Sequence, residues 1–473
     1  MDTEPEQLPP DPNVQENGAA APEEPVYGLT DEEIGHIHEA LHSEYEEALI
    51  ERLHSLSPAD AAELLAKLSD DDRHKLLREH SAALDPYTFS ELPSELRKDA
   101  LETMPSTQVA ALLSELESDD ALDLIVNLDE EFQHDVIRKL SSRTRISLEE
   151  GLSFPEKSAG RLMQREFVAI PQSWTVGKTI DYLRAAASEL PEDFFDIFVI
   201  TPSHRIAGQI PLNRLVRAMR AEKLQNLTLD ETHPVLATTD QEEVAQIFRR
   251  EDYTSAPVVD DAERLIGVIT IDDIVDVIDE EAQEDVLKLG GVKQDDLHKD
   301  VIATTRSRFW WLFINLGTAL IDTAVISLFN GSIEKVVALA ALMPVVASMG
   351  GNAGTQTQTV AVRGMATREL SDVNAMRFLA KETMIGLLNG IAFALIMGIF
   401  TAWWFHSTML GVVIGASMII NLVAAGFSGV LIPLALRKLG TDPAVSTTIF
   451  LTTVTDVVGF FVFLGLATLL LIH

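Results

Sequence analysis

The chain has no cysteine among its 473 residues. Disulfides, thiolate metal sites and cysteine nucleophiles are thereby excluded, so any metal must be held by oxygen or imidazole. Positive charge is scarce as well: 36 Lys and Arg stand against 73 Asp and Glu, a formal net charge of -37. That balance argues against nucleic acid as a partner and is compatible with binding cations, although solubility alone would also produce it. Residues 1–300 lack any long apolar run, and the opening stretch MDTEPEQLPPDPNVQENGAAAPEEP has neither a basic n-region nor an apolar core. Residues 1–34 therefore read as a disordered acidic tail, with the N-terminus expected in the cytoplasm. A nucleophile–base constellation and a phosphate-cradling glycine loop are also missing, so an enzyme is not expected.

What the chain does have is divided between two very different parts. From about residue 309 onward, apolar runs long enough to cross a bilayer replace the charged sequence. The pattern predicts five membrane helices within 306–473: Phe309 to Phe329, Val336 to Val362, Met384 to Phe405, Met409 to Leu436 and Pro443 to Ile472. Basic residues alternate across them, with Arg306 and Arg308 before the first, Arg363, Arg368, Arg377 and Lys381 between the second and third, and Arg437 and Lys438 between the fourth and fifth. The positive-inside rule then predicts a multi-pass plasma or inner membrane protein with its N-terminus cytoplasmic and its C-terminus outside. Asp372 to Glu382 reads as an interfacial amphipathic helix.

Two features of these spans are unusual. The last carries Asp456, and an ionised group at mid-bilayer costs roughly 2.5 to 3.5 kcal/mol even on lenient scales. Thr448 and Thr452 precede it at four-residue spacing, which places all three on one stripe. The stripe alone fits either the wall of a cation pathway or a polar seam between helices. The second span holds Pro344 and then the run from Ser348 to Thr359, whose glycines, amides and hydroxyls would be wasted in lipid.

Upstream, residues 35–150 form a string of short amphipathic helices with recurring Ser or Pro starts, such as Ser57-Pro58 and Pro105-Ser106, which predicts a small helical superhelix. Residues 162–282 hold two similar units, about 162–220 and 225–282, each reading β-α-β-β-α. That order resembles a tandem of CBS domains. The second unit keeps the family's glycine, threonine and aspartate as Gly267, Thr270 and Asp273, where a nucleotide such as ATP would bind; the first has Gly208 without the other two. Next comes an acidic connector containing Asp272, Asp276, Asp279, Glu280, Glu284 and Asp285. Like charges at helical spacing repel, and a hard divalent cation would relieve them, yet a solvated face is the ordinary fate of such a run.

The whole order of helical domain, CBS pair, acidic connector at 283–305 and apolar helices resembles the MgtE family of magnesium channels and transporters over about residues 35–473. The most specific motifs are Met343-Pro344-Val345-Val346 leading to Gly350-Gly351-Asn352-Ala353-Gly354-Thr355-Gln356, Asp442-Pro443-Ala444 leading to Thr455-Asp456, and Ser158-Ala159-Gly160-Arg161-Leu162-Met163. The resemblance implies a homodimeric Mg²⁺ channel in the membrane, with Asp456, Asn352, Thr355, Thr359, Thr448 and Thr452 lining the pore. It also implies that cytoplasmic Mg²⁺ closes the pore by binding Asp273, Asp276, Glu281, Glu284 and Asp285, with the connector as a plug helix. The family often has Asn at the place of Thr355 and a small apolar residue at Thr452. Two other classes remain open: an exchanger or anion channel with CBS regulation, which should line its path with basic groups, and a receptor without transport.

Overall fold

The structure, a computed structural model, describes residues 28–42, 46–188, 190–191, 193–229, 232–292, 301–442 and 447–472. The chain divides into two compact units, 1–274 and 275–473.

The first unit opens with helices α1 (Asp31–Leu41), α2 (Glu46–His54), α3 (Pro58–Lys67), α4 (Asp70–His80), α5 (Ser94–Thr103), α6 (Ser106–Leu113), α7 (Ser118–Val126), α8 (Glu130–Lys139) and α9 (Ser142–Leu152). Their starts follow from the sequence. Ser57, Ser69 and Ser141 each accept a backbone N–H from the third residue of the helix that follows, and Thr30 with Glu33 forms a full capping box. Among the described residues, Leu29 already belongs to the core and Thr30 caps α1, both ahead of the expected boundary at residue 35. Leu64, Leu65, Leu76, Leu77, Leu124 and Ile125 are fully buried in one continuous core.

A short helix α10 (Ala159–Leu162) leads into the two α/β repeats. The first runs β1 (Ala169–Pro171), α11 (Val176–Ala185), β2 (Asp196–Ile200), β3 (Ile206–Pro211) and α12 (Leu212–Arg217). The second runs β4 (Val235–Leu236), α13 (Gln241–Glu251), β5 (Ser255–Val259), β6 (Leu265–Thr270) and α14 (Ile271–Leu289). In each, the first strand pairs parallel with the second and the second antiparallel with the third, and the register shifts at the equivalent place, Val199/Ile200 and Val258/Val259. A buried polar link joins the halves: Ser255 Oγ donates to Asp196 Oδ2 at 2.6 Å, and Gln209 Nε2 donates to Ser255 O at 3.1 Å.

The second unit holds α15 (Val301–Ser327), α16 (Asn330–Lys335), α17 (Ala338–Ala366), α18 (Ala375–Trp404), α19 (Thr408–Lys438) and α20 (Thr447–Ala467), which ends in a wider π turn over Thr468–Ile472. Among the described residues, four helices are long and apolar enough to cross a membrane, namely α15, α18, α19 and α20 with its last turn. Helix α17 has 29 residues, but the run from Ser348 to Thr359 dilutes its apolar character. Two expectations are corrected. No separate interfacial helix spans Asp372 to Glu382, because α18 runs unbroken from Ala375 and buries Glu382. The connecting helix is α14, which grows directly out of β6 and ends at Leu289; residues 301–305, assigned to it from sequence, start α15, while 293–300 lie outside the described residues.

Helices α18 and α19 touch almost backbone to backbone. A Cβ at Gly386 would lie 2.4 Å from Leu422 O, and one at Gly411 would lie 2.5 Å from Gly398 O. Small residues at four-residue spacing permit this approach, which membrane helices need because lipid offers no hydrophobic drive between them.

Candidate ion pathway and cytoplasmic acidic site

Thr448, Thr452 and Asp456 form a half-buried stripe on α20. The Thr452 hydroxyl is used within the helix, donating to Thr448 O at 3.0 Å. Thr448 reaches outward: its Oγ1 accepts from Gln358 Nε2 of α17 at 3.0 Å and donates to Leu289 O, the last residue of α14, at 3.2 Å. The N-terminal end of the stripe is therefore tied to both the polar helix and the connecting helix. Beside it, Lys288 pairs with Glu284 at 2.7 Å and Asp442 at 2.8 Å.

Helix α17 has two faces of different chemistry. One packs inward: Gly350 meets Asn421, Gly354 meets Leu451, and Thr357 Oγ1 donates to Glu382 Oε2 at 3.2 Å. Asn421, fully buried on α19, donates from Nδ2 to Val346 O at 2.9 Å and fixes the two helices together. The other face exposes Ser348, Asn352, Thr355 and Thr359. Thr355 and Thr359 satisfy their hydroxyls on carbonyls one turn back, at 3.0 Å and 2.9 Å, so their oxygens still present lone pairs outward. Among the described residues, no hydrogen bond joins Asn352, Thr355 or Thr359 to the α20 stripe.

A second membrane carboxylate escaped the sequence reading. Helix α15 buries no residue, yet its half-buried line is Trp311, Asn315, Thr318 and Asp322, a polar stripe within an otherwise apolar helix. Asp322 is the charged neighbour of Asp456. Just past the end of α15, Phe329 packs on Phe461 and Ser332 Oγ meets Thr468 Oγ1 at 2.7 Å, so the chain there runs alongside the end of α20 in the same direction. Counting back from the phenylalanines at about 1.5 Å per residue puts the two carboxylates within roughly 3 Å of the same depth. Oδ1 of Asp322 is shielded and, among the described residues, accepts no hydrogen bond. The signal that found Asp456, a carboxylate in an apolar run, was equally available for Asp322.

The first unit holds a separate acidic site. Glu117, Asp119 and Asp120 at the start of α7 face Asp272 and Asp273 at the start of α14. Burial first, then Glu166, Asp120 and Asp272, raises Glu117 to about 7. Burial also raises Asp273 to about 7, against a 2.8 Å hydrogen bond from Thr270 Oγ1 and with Asp272 adding to the rise. Asp119 is buried and pushed well above the usual carboxylate range by that burial and by Asp273, Asp120 and Glu117. Acids held this close repel one another, and a bound cation would relieve that repulsion. The three acids of α7 were missed because acids in a first helical turn are ordinary helix-start chemistry.

The regulatory residues expected from sequence are spread along α14. Asp273 belongs to the α7 cluster, while Glu281, Glu284 and Asp285 lie further along α14, roughly 12 to 18 Å away by helical rise. Burial, then Asp442, raises Asp285 above its ordinary value. Asp276 is exposed. Of the nucleotide-motif residues, Gly267 is closely covered by Met163 and Gln164 O, and Asp273 is engaged by Thr270.

The family model described as divalent cation transporter, MgtE, matches residues 343–466; those for the MgtE intracellular N domain and the CBS domain match 56–157 and 229–280. The magnesium transporter MgtE of Thermus thermophilus is 32% identical over 441 residues, covering 92% of this chain and 98% of its own. The chain belongs to the MgtE family. The magnesium transporter MgtE of Bacillus subtilis is 30% identical over 417 residues, covering 87% of this chain and 92% of its own. A solved cytosolic domain of the Mg²⁺ channel MgtE in complex with ATP is 30% identical, covers 52% of this chain and 99% of its own, and has a TM-score of 0.48. The MgtE transporter match runs from Met343 in α17 to Leu466 in α20, and so contains both the polar face and Asp456.

Proposed function

We propose that this MgtE protein conducts Mg²⁺ through a polar path bounded by α17 and α20, and that two copies of the chain complete the path. The observation that carries the reading is the exposed line Ser348, Asn352, Thr355 and Thr359 on a helix of membrane length. Lipid cannot solvate such a face, whereas a second copy and a hydrated ion can. Mg²⁺ sheds its waters reluctantly, so hydroxyl and amide oxygens around an intact hydration shell suit it, with Asp456 supplying charge. Asp322 is part of the same proposal: a second carboxylate at the level of Asp456 doubles the negative charge facing a divalent ion. Helix α17 counts as the fifth span, shielded from lipid by its neighbours and its partner copy, which leaves the N-terminus cytoplasmic and the C-terminus outside.

Regulation in this reading comes from the acidic sites. Cytoplasmic Mg²⁺ neutralises the α7–α14 acids and those around Asp276, Glu281, Glu284 and Asp285, and the end of α14 then acts on the Thr448 end of the stripe. The second CBS repeat takes ATP at Gly267, Thr270 and Asp273; titration calorimetry with ATP on the parent and Thr270→Val tests this, and equal heats would remove it. Purified protein in proteoliposomes tests the main reading: Asp456→Ala should abolish Mg²⁺ flux, and normal flux through a well-folded variant would refute it. An anion path is disfavoured by the two membrane carboxylates.

A further inference from the structure

Away from both sites, α1 carries two imidazoles one turn apart, His38 and His42, whose rings meet edge to face with centroids 4.9 Å apart. Between them stands a single carboxylate, Asp72, from the first turn of α4. His42 Nε2 lies 2.6 Å from Asp72 Oδ1, and His38 Nε2 lies 3.3 Å from Asp72 Oδ2, so each carboxylate oxygen addresses one ring nitrogen. The three donor atoms all fall within 4.8 Å of one another, compatible with three ligands around one ion at bonds of about 2.0 to 2.2 Å. Both imidazoles are about half exposed while Asp72 is largely covered, which leaves the outer side open to water.

The arrangement is braced from both helices. Ser69 caps α4, and its hydroxyl donates to Asp72 Oδ2 at 2.6 Å, fixing the carboxylate. One turn on from Asp72, Lys75 Nζ donates to Leu41 O at 2.8 Å and holds the C-terminal end of α1 against α4. The capping box at Thr30 fixes the other end of α1. These outside hydrogen bonds are what hold metal ligands in place in known sites.

We infer that His38, His42 and Asp72 form a binding site for a borderline divalent transition ion of the Zn²⁺ class, distinct from every Mg²⁺ site in the chain. Paired imidazole nitrogens favour Zn²⁺, Ni²⁺ or Co²⁺ and offer little to Mg²⁺, which takes oxygen donors. The acidic sites and the pathway consist wholly of oxygen donors, so among the described residues this cluster gives the cytoplasmic part an input that a large excess of Mg²⁺ does not occupy. The inference stands apart from the transport reading.

The test is Zn²⁺ titration calorimetry on the purified full-length protein in detergent, with Mg²⁺ in large excess so that the oxygen sites are filled. One Zn²⁺ per chain should still bind, and His38→Gln with His42→Gln should weaken it by more than about tenfold, while the thermal melt and Mg²⁺ flux stay as in the parent. Co²⁺ provides a second readout, as its visible absorption bands should appear in the parent and be lost in the double variant. A Zn²⁺ isotherm equal in parent and variant, or one that Mg²⁺ erases in the parent, overturns the site.

Discussion

At the scale of the residue, the decisive groups are carboxylates placed where charge is expensive. Asp456 was legible in the sequence because nothing around it except threonine is polar, and a lone ionisable residue in an apolar run demands a use. Asp322 obeyed the same rule unnoticed. If the two share one divalent ion, Asp322→Asn should reduce Mg²⁺ flux several-fold without abolishing it, and Asp322→Glu should restore most of it. Isotope uptake into proteoliposomes measures this, and unchanged uptake by the Asn variant would remove Asp322 from the path. The α7 acids of this site were not legible, because their partners are distant in sequence and only the fold brings Asp119 to Asp273. Their behaviour with pH has a definite sign. Glu117 and Asp273 titrate near 7 in the metal-free fold, above an unfolded carboxylate near about 4, so the folded state holds more protons between these values. Stability of the metal-free protein should therefore fall as pH rises from about 4 to about 7 and then level off. Mg²⁺ should raise the melting temperature more at pH 8 than at pH 5.5, and Asp119→Asn should remove most of that difference.

At the scale of the element, helix positions were readable from hydropathy and caps, whereas helix ends were not. The connecting helix begins at Ile271 because β6 hands its chain straight into it, with Thr270 bonded to Asp273 in its first turn. The contact of Leu289 O with Thr448 was beyond sequence too, since 159 residues separate the pair. It makes the end of α14 a direct neighbour of the stripe. Thr448→Val removes the donor to Leu289 and the acceptor for Gln358 while keeping the side chain's shape, so it should loosen α14 from α20 and raise the Mg²⁺ concentration needed to close the channel. Patch recording of the variant against a series of cytoplasmic Mg²⁺ concentrations gives the shift. The α18–α19 seam, by contrast, was written in its glycines. Gly386→Leu would drive a side chain into Leu422 O and should prevent stable folding, which loss of a monodisperse peak on size-exclusion chromatography in detergent reports.

At the scale of the whole molecule, the sequence divided the chain correctly into an acidic part and an apolar part because the two answer to different solvents. What it could not show is that α14 belongs to both, starting at the sheet of the second CBS repeat and ending against Thr448. Helix α14 has 19 residues and is about 28 Å long. The feedback we propose needs only two states whose balance Mg²⁺ shifts, with ion-free acids repelling and ion-bound acids held together. Lys288 offers a way to separate this from simple block of the pore by Mg²⁺. It joins Glu284 on α14 to Asp442 ahead of α20 by ion pairs of 2.7 and 2.8 Å. Lys288→Met should leave the selectivity and unitary conductance of the open channel unchanged, yet reduce inhibition by cytoplasmic Mg²⁺, as should Asp276→Ala with Glu284→Ala. If Mg²⁺ instead inhibits by occupying the pore, both variants would close at the same concentration as the parent, and only changes at Asp456 or Asp322 would move it.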